Sequence, residues 1–296
     1  MVIPGLRYDD YQATSALAND NGASQLSPRI GVSYLPTDWL MGFASYSYAF
    51  RAPTFDELYL TGVHFRIPVG AGVTNRFRPN PNLQPQQTRT AEFGLGLTFD
   101  DVVQSADRFQ IKGSRYIVWG KNFIDLSVTQ PTVFVDCNPF IPGACDGTTN
   151  AANVPNAKLW GNEVEASYET HRFLLNAGYS VVNGHNEDTG AYLGVLAPEQ
   201  FTLGAAYKVH EADTVVGWRT LFAREFNKVN TATDRRERYT VHDIYVSWQP
   251  ADGALAGFRV DLGIDNVFDE SYSRAFTGAL EPGRDYKAQL TWSTAW

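Results

Sequence analysis

Few side chains in this sequence can bind a metal or act as a nucleophile: 296 residues hold five histidines and two cysteines. His64 stands in Thr61-Gly62-Val63-His64-Phe65-Arg66, within a polar stretch between two apolar runs. A neutral imidazole is a good donor to a metal ion, and a loop can present it to an incoming ligand. The plainer reading is a solvated loop histidine. Arg51, Arg66, Arg76 and Arg78 flank it. Their guanidinium groups suit carboxylates through charge-assisted hydrogen bonds, whether on a ligand or on Asp56 and Glu57, and they equally suit lipid phosphates. Tyr59 offers a phenol, a stacking face or simple loop packing. His185 falls in a second polar loop, His171 and His210 at short turns, and His242 on an apolar strand face. No nucleophile–base pair is placed for hydrolysis, so an enzyme is not expected.

Cys137 and Cys145 enclose seven residues of a third polar loop. A disulfide closing so small a loop is worth about 2–3 kcal/mol in the chain-entropy model, and it implies an oxidising compartment. No further Cys or His stands near enough in sequence to complete a metal site.

The elements that must carry these loops read as strands. Hydrophobic residues make up 44% and aromatics 14% of the chain, yet mean hydropathy is slightly negative. No run approaches the roughly 20 apolar residues of a membrane helix, so a spanning reading survives only as a β-barrel. The net charge of −8, with no basic stripe, argues against nucleic acid.

Period-2 alternation recurs along the chain. Ala91, Phe93, Leu95, Leu97 and Phe99 alternate with Thr90, Glu92, Gly94, Gly96 and Thr98. Phe173, Leu175, Ala177, Tyr179 and Val181 behave alike, as do Phe201, Leu203, Ala205 and Tyr207, and then His242, Ile244, Val246 and Trp248. Phe258, Val260, Leu262 and Ile264 follow, and Tyr286, Ala288, Leu290, Trp292, Thr294 and Trp296 close the chain. An aromatic-rich apolar face opposite a face of charge and glycine is the lipid-out, lumen-in signature. The fold class expected is all-β: a transmembrane antiparallel barrel wall of about 12 strands. The strands are placed at 2–11, 26–35, 38–50, 87–100, 106–126, 157–169, 172–183, 197–208, 213–226, 238–249, 256–269 and 284–296. Short turns near 35–38, 100–105, 169–172, 208–213 and 249–256 alternate with long loops near 12–25, 51–86, 127–157, 184–196, 227–237 and 270–284. Tyr34, Trp39, Trp248 and Trp296 then fall at short-turn ends, as a girdle at one headgroup layer.

Two motifs flank the His64 loop: Phe50-Arg51-Ala52-Pro53 before it and Asn80-Pro81-Asn82-Leu83 after it. The pair resembles the FRAP and NPNL boxes of TonB-dependent outer-membrane haem and haemoglobin receptors. Gly263-Ile264-Asp265-Asn266-Val267-Phe268-Asp269, the later Glu281-Pro282-Gly283-Arg284, and Leu159-Trp160-Gly161-Asn162-Glu163-Val164-Glu165 are similar to strands of that superfamily generally.

The resemblance implies the C-terminal part of a 22-stranded, plugged barrel in the bacterial outer membrane, spanning 1–296 as one domain. It implies haem as transported ligand rather than permanent cofactor, with His64 a ligand to the haem iron. Tyr59, Arg66 and Arg76 are then candidates for the same ligand. The partners implied are haem or a haem-carrying protein, the TonB–ExbB–ExbD complex acting through a plug, and outer-membrane lipid and lipopolysaccharide. Met1 is followed at once by a strand pattern, with no signal peptide, so the chain reads as an excerpt. A half-barrel with two open edges is not expected to insert alone. A siderophore or vitamin receptor would keep every barrel feature without needing His64, and a complete small porin or lipid hydrolase is a more distant alternative.

Overall fold

The computed structural model describes residues 1–15, 19–275 and 279–293. Its strands are β1 (Val2–Ala13), β2 (Asn21–Thr37), β3 (Leu40–Arg51), β4 (Gly62–Ile67), β5 (Val73–Phe77), β6 (Gln86–Asp100) and β7 (Arg108–Thr129). They continue with β8 (Gly147–Glu169), β9 (Phe173–Asn186), β10 (Gln200–Val209), β11 (Thr214–Ala223), β12 (Tyr239–Trp248), β13 (Phe258–Asp265) and β14 (Asp285–Trp292). A five-residue helix, α1 (Phe55–Tyr59), precedes β4.

The strands form one sheet in which β1-β2-β3-β6-β7-β8-β9-β10-β11-β12-β13-β14 are successive hydrogen-bonded neighbours. That path is the expected wall of about 12 strands, and every step along it is antiparallel. Among the described residues β1 pairs only with β2 and β14 only with β13, so the wall does not close.

Register sets the two faces. One cross-strand row reads Ala44, Phe93, Arg115, Asn162 and Val181, and the next reads Gly42, Leu95, Gly113, Val164 and Tyr179. Tyr34, Phe93, Leu95, Leu175 and Leu203 on this side are exposed. That is the behaviour of a surface made for hydrocarbon. Arg115 and Asn162 are polar members of the first row and meet each other, Arg115 Nη1 donating to Asn162 Oδ1 at 3.3 Å. The other face carries Glu92, Lys112, Glu163, Glu165, Arg219, Asp243, Asp261, Asp265 and Lys287. Glycines on that face leave room for aromatic rings of the neighbouring strand. Phe43 lies over its cross-strand partner Gly94, Tyr116 over Gly161 and Tyr245 over Gly217.

The short-turn rim holds its aromatics: Trp39 stacks on Phe99 at 5.9 Å and Phe258 on Trp292 at 5.8 Å. Tyr34 and Trp248 lie towards the same rim, while Trp296, with Thr294, falls outside the described residues.

The loops depart most from expectation. The stretch 51–86 contains α1 and the hairpin β4–β5. Both ends of 127–157 are strand too, because β7 runs to Thr129 and β8 starts at Gly147. Gly147-Thr148-Thr149-Asn150-Ala151-Ala152-Asn153 shows no apolar alternation, since neither face there meets lipid. Its pairing with β7, Thr129↔Thr148 to Phe123↔Val154, was therefore invisible to a pattern that depends on lipid. β7 and β8, at 22 and 23 residues, thus project beyond neighbours such as the 10-residue β10.

Candidate functional site

Above the wall β9 has ended, and β5 takes its place on the free edge of β8. Asn75, Arg76 and Phe77 pair in parallel with Gly147, Thr148 and Thr149. The hairpin β4–β5 is thereby fastened to the projecting β7–β8 pair. Thr74 N donates to Asp146 Oδ1 at 2.8 Å, Ala71 N to Pro139 O at 2.8 Å, and Arg78 N to Thr149 O at 2.8 Å. At the hairpin tip Gly70 has φ +59°, and a Cβ there would stand 2.4 Å from Pro139 O, so both its backbone conformation and its close approach call for glycine.

The two boxes hold the base of this loop. Phe50 and Pro53 are buried. Arg51 Nη1 donates to both carboxylate oxygens of Glu57, at 3.0 and 2.9 Å. Glu57 closes a capping box on α1, accepting from Thr54 N at 2.8 Å while Thr54 Oγ1 accepts from Glu57 N. In the second box Asn80 N donates to Leu58 O and Asn80 Nδ2 to Ala151 O, both at 2.9 Å. Asn21 Nδ2 reaches the carbonyls of Pro81 and Leu83 at 2.9 Å. Leu83 joins Leu58, Ile124 and Ala151 in a buried cluster. Among the described residues Ala52 and Asn82 make no side-chain contribution of this kind. The boxes thus clamp a loop base, and the conspicuous arginine of the first is occupied by Glu57.

His64 sits at a β-bulge. Val63 pairs with Arg76 and Phe65 with Asn75, leaving His64 as the extra residue of β4. Bulges re-aim side chains, and here the exposed imidazole stands with its centroid 4.5 Å from Phe77 and 5.0 Å from Phe65. Nδ1 lies 2.9 Å from Thr149 Oγ1. Nε2 makes no hydrogen bond among the described residues.

The other candidates do not gather round this ring. Arg66 and Arg76 are exposed and alternate onto the face opposite Asn75 and Phe65. Neither forms an ion pair among the described residues, and the same holds for Arg78. Tyr59 is half-buried against the Leu58 cluster, and its hydroxyl donates to Asn19 O at 3.1 Å, so it packs the loop. Cys137 and Cys145 are bonded, with Cα atoms 5.3 Å apart. His185 packs edge-on to Trp160, His171 and His210 stack at 4.1 Å on the opposite rim, and His242 lies on the outward face, its Nδ1 2.9 Å from Thr220 Oγ1. No group of three or more His, Cys, Asp or Glu is arranged as a metal site among the described residues. A concavity of about 720 Å³ lies along wall strands and includes no residue of the His64 loop. Sequence reasoning missed Thr149 and Asn75, both fully buried behind the imidazole. Nothing in a threonine 85 residues away signals that contact.

Residues 1–267 match the family model described as TonB dependent receptor-like, beta-barrel. The chain belongs to this family. It is a family of receptors and transporters of the bacterial outer membrane. The chain is 34% identical over 288 residues to the hemin receptor of Yersinia pestis, covering 97% of this chain and 40% of that protein. It is 30% identical over 301 residues to the heme/hemopexin utilization protein C of Haemophilus influenzae, covering 99% and 41%. The chain therefore spans about two fifths of the curated relatives it matches. Among solved structures it resembles the copper transporter OprC, with TM-score 0.72 and 20% identity over 99% of this chain and 45% of that one. It also resembles a double mutant of the Serratia marcescens hemophore receptor HasR in complex with HasA and heme, with TM-score 0.61 and 16% identity over 98% and 47%. At that identity the likeness is one of fold.

Proposed function

We propose that this chain is the C-terminal barrel part of a TonB-dependent outer-membrane receptor that takes up haem, with His64 a ligand to the haem iron. The observation that carries the reading is the bulged His64 itself: an exposed imidazole between Phe65 and Phe77, one nitrogen engaged by Thr149 and the other open. Imidazole is a suitable axial donor, and aromatic neighbours suit the apolar face of a porphyrin. The names of the relatives from Yersinia and Haemophilus support haem over other cargoes.

Haem is cargo in this reading. It arrives free or on a haem-carrying protein such as haemoglobin or a haemophore. A second ligand would complete the coordination, and release to the periplasm would draw on the TonB–ExbB–ExbD complex through a plug. Outer-membrane lipid and lipopolysaccharide surround the outward face. Arg66 and Arg76 remain candidates for propionate contact only if the propionates reach round to their side of the hairpin, and Tyr59 acts by packing.

Haem titration of the intact receptor and of its His64→Ala variant tests the assignment. The variant is expected to lose at least tenfold in affinity and to show an altered Soret band. Equal affinity and an unchanged spectrum would remove His64 as ligand.

A further inference from the structure

Behind His64 runs a chain of hydrogen bonds whose direction can be worked out from its far end. Gln130 Nε2 donates to Cys145 O at 2.6 Å, which turns Gln130 Oε1 towards Asn75. Asn75 Nδ2 lies 3.2 Å from that oxygen and 3.2 Å from Thr129 O. Both neighbours are acceptors, so the Asn75 amide nitrogen must face them and its Oδ1 must face Thr149. Thr149 Oγ1 is 2.6 Å from Asn75 Oδ1. An amide oxygen has no proton to give, so the single hydroxyl proton of Thr149 goes to Asn75. Thr149 Oγ1 can then only accept from the imidazole 2.9 Å away, which requires the proton of His64 to be on Nδ1.

We infer that Thr149 and Asn75 are positioning residues that hold His64 as the Nδ1–H tautomer and so present the Nε2 lone pair as the atom that meets iron. The inference rests on the haem reading above and deepens it. Which nitrogen of a histidine can bind a metal is set by the hydrogen bond the other one makes, and such partners orient the ring and raise its basicity. The arrangement here is dry: Asn75 and Thr149 are 0% exposed, and Cys145 is 1% exposed. Water therefore does not compete for the Thr149 hydroxyl, and the proton order is fixed along the whole chain. The bulge completes the device. It leaves His64 as the extra residue of β4, and the imidazole lies beside Phe65 and Phe77 within reach of Thr149. The disulfide loop enters through Cys145 O, so the far end of the chain is anchored within eight residues of its covalent partner.

The test uses the intact receptor with 15N-labelled histidine, the His64 signals being assigned as those lost in the His64→Ala spectrum. In the haem-free protein His64 is expected to show a protonated-type Nδ1 shift and an unprotonated-type Nε2 shift. The reverse pattern overturns the inference, whatever haem does. Haem titration supplies the second arm. Thr149→Val keeps the shape but removes the acceptor; it is expected to weaken haem binding about 10- to 100-fold and to shift the iron–imidazole stretching band. Thr149→Ser restores the hydroxyl and is expected to restore both. If His64→Ala loses haem while Thr149→Val matches the parent in affinity and band position, the relay fails and the haem reading stands. If His64→Ala itself changes nothing, the haem reading fails instead, and the nitrogen shifts still decide the tautomer.

Discussion

Arg51 and Glu57 face each other across the start of the His64 loop, one guanidinium nitrogen 3.0 and 2.9 Å from the two carboxylate oxygens. The same carboxylate caps α1 through Thr54 N. Glu57 therefore joins the end of β3 to the first turn above it, and its loss removes an ion pair and a cap together. Both side chains are partly exposed, at 40% and 26%, so the pair alone is worth under about 1 kcal/mol, with a similar amount from the cap. Glu57→Ala is expected to speed amide exchange at Leu58 and Leu60, whose N–H groups donate to Thr54 O and Asp56 O. Exchange unchanged at both amides would show that the clamp does not order the loop.

The disulfide holds the segment against which the hairpin tip rests. Pro139 O and Asp146 Oδ1 receive Ala71 N and Thr74 N, and both acceptors lie within or beside the Cys137–Cys145 loop. Replacing both cysteines by serine frees that loop at a cost of about 2–3 kcal/mol in the chain-entropy model. Faster exchange is expected at Ala71 and Thr74, with the wall amides of β10 to β13 unaffected. A hairpin equally protected in the double variant would mean that backbone pairing with β8 suffices.

The wall was legible in the sequence because lipid on one side and water on the other impose period 2 on every strand they bound. Phe93, Leu95 and Leu97 against Glu92, Gly94 and Gly96 could hardly read otherwise. The same logic explains what was not legible. Thr148, Thr149 and Asn150 extend β8 where both sides are protein or water, so no alternation marks them as strand. Val63 and Phe65 hint at β4, but the bulge that aims His64 is a register event, decided by what β5 does opposite. For Arg51 a neighbouring carboxylate, Asp56 or Glu57, or a lipopolysaccharide phosphate was the readier reading than a propionate, and the turn made by Ala52, Pro53 and Thr54 brings Glu57 to it. His64 itself stood out through the boxes around it; its partners Thr149 and Asn75 depend on tertiary docking.

Asp107 gives a pH dependence with a definite sign. Burial alone would raise its carboxyl pKa, but the Tyr168 hydroxyl and the amides of Gln104, Val103 and Val102 outweigh it and hold it down to about 2. Those contacts lie at 2.5 to 2.9 Å in the short turn between β6 and β7. The folded value is below the ordinary value near 3.9, so the stabilisation is full above about pH 4 and is lost as pH falls through about 2. Asp107→Asn is expected to be less stable than the parent at pH 6 and to converge with it near pH 2 in thermal unfolding. A gap between the two that stays constant over that range would count against the assignment.

Gly217 and Tyr245 test whether inward glycines are there for the rings above them. A Cβ on Gly217 would stand 2.1 Å from Tyr245 Cζ, and these two residues are directly paired across β11 and β12. The ring also lies under the Arg219 guanidinium at 5.7 Å, so it cannot swing aside without giving up that contact. Gly217→Ala is expected to destabilise by about 1–3 kcal/mol, as overpacking does. Gly263 faces the same side, but the nearest atom to its Cβ would be Ile244 O at an ordinary 3.7 Å, and Gly263→Ala is expected to stay within about 0.5 kcal/mol. The decisive comparison is a double-mutant cycle read by thermal unfolding in micelles. In a Tyr245→Ala background the penalty of Gly217→Ala should largely vanish, because the ring it collides with is gone. A penalty that persists there would place its origin in the backbone of β11 rather than in the ring.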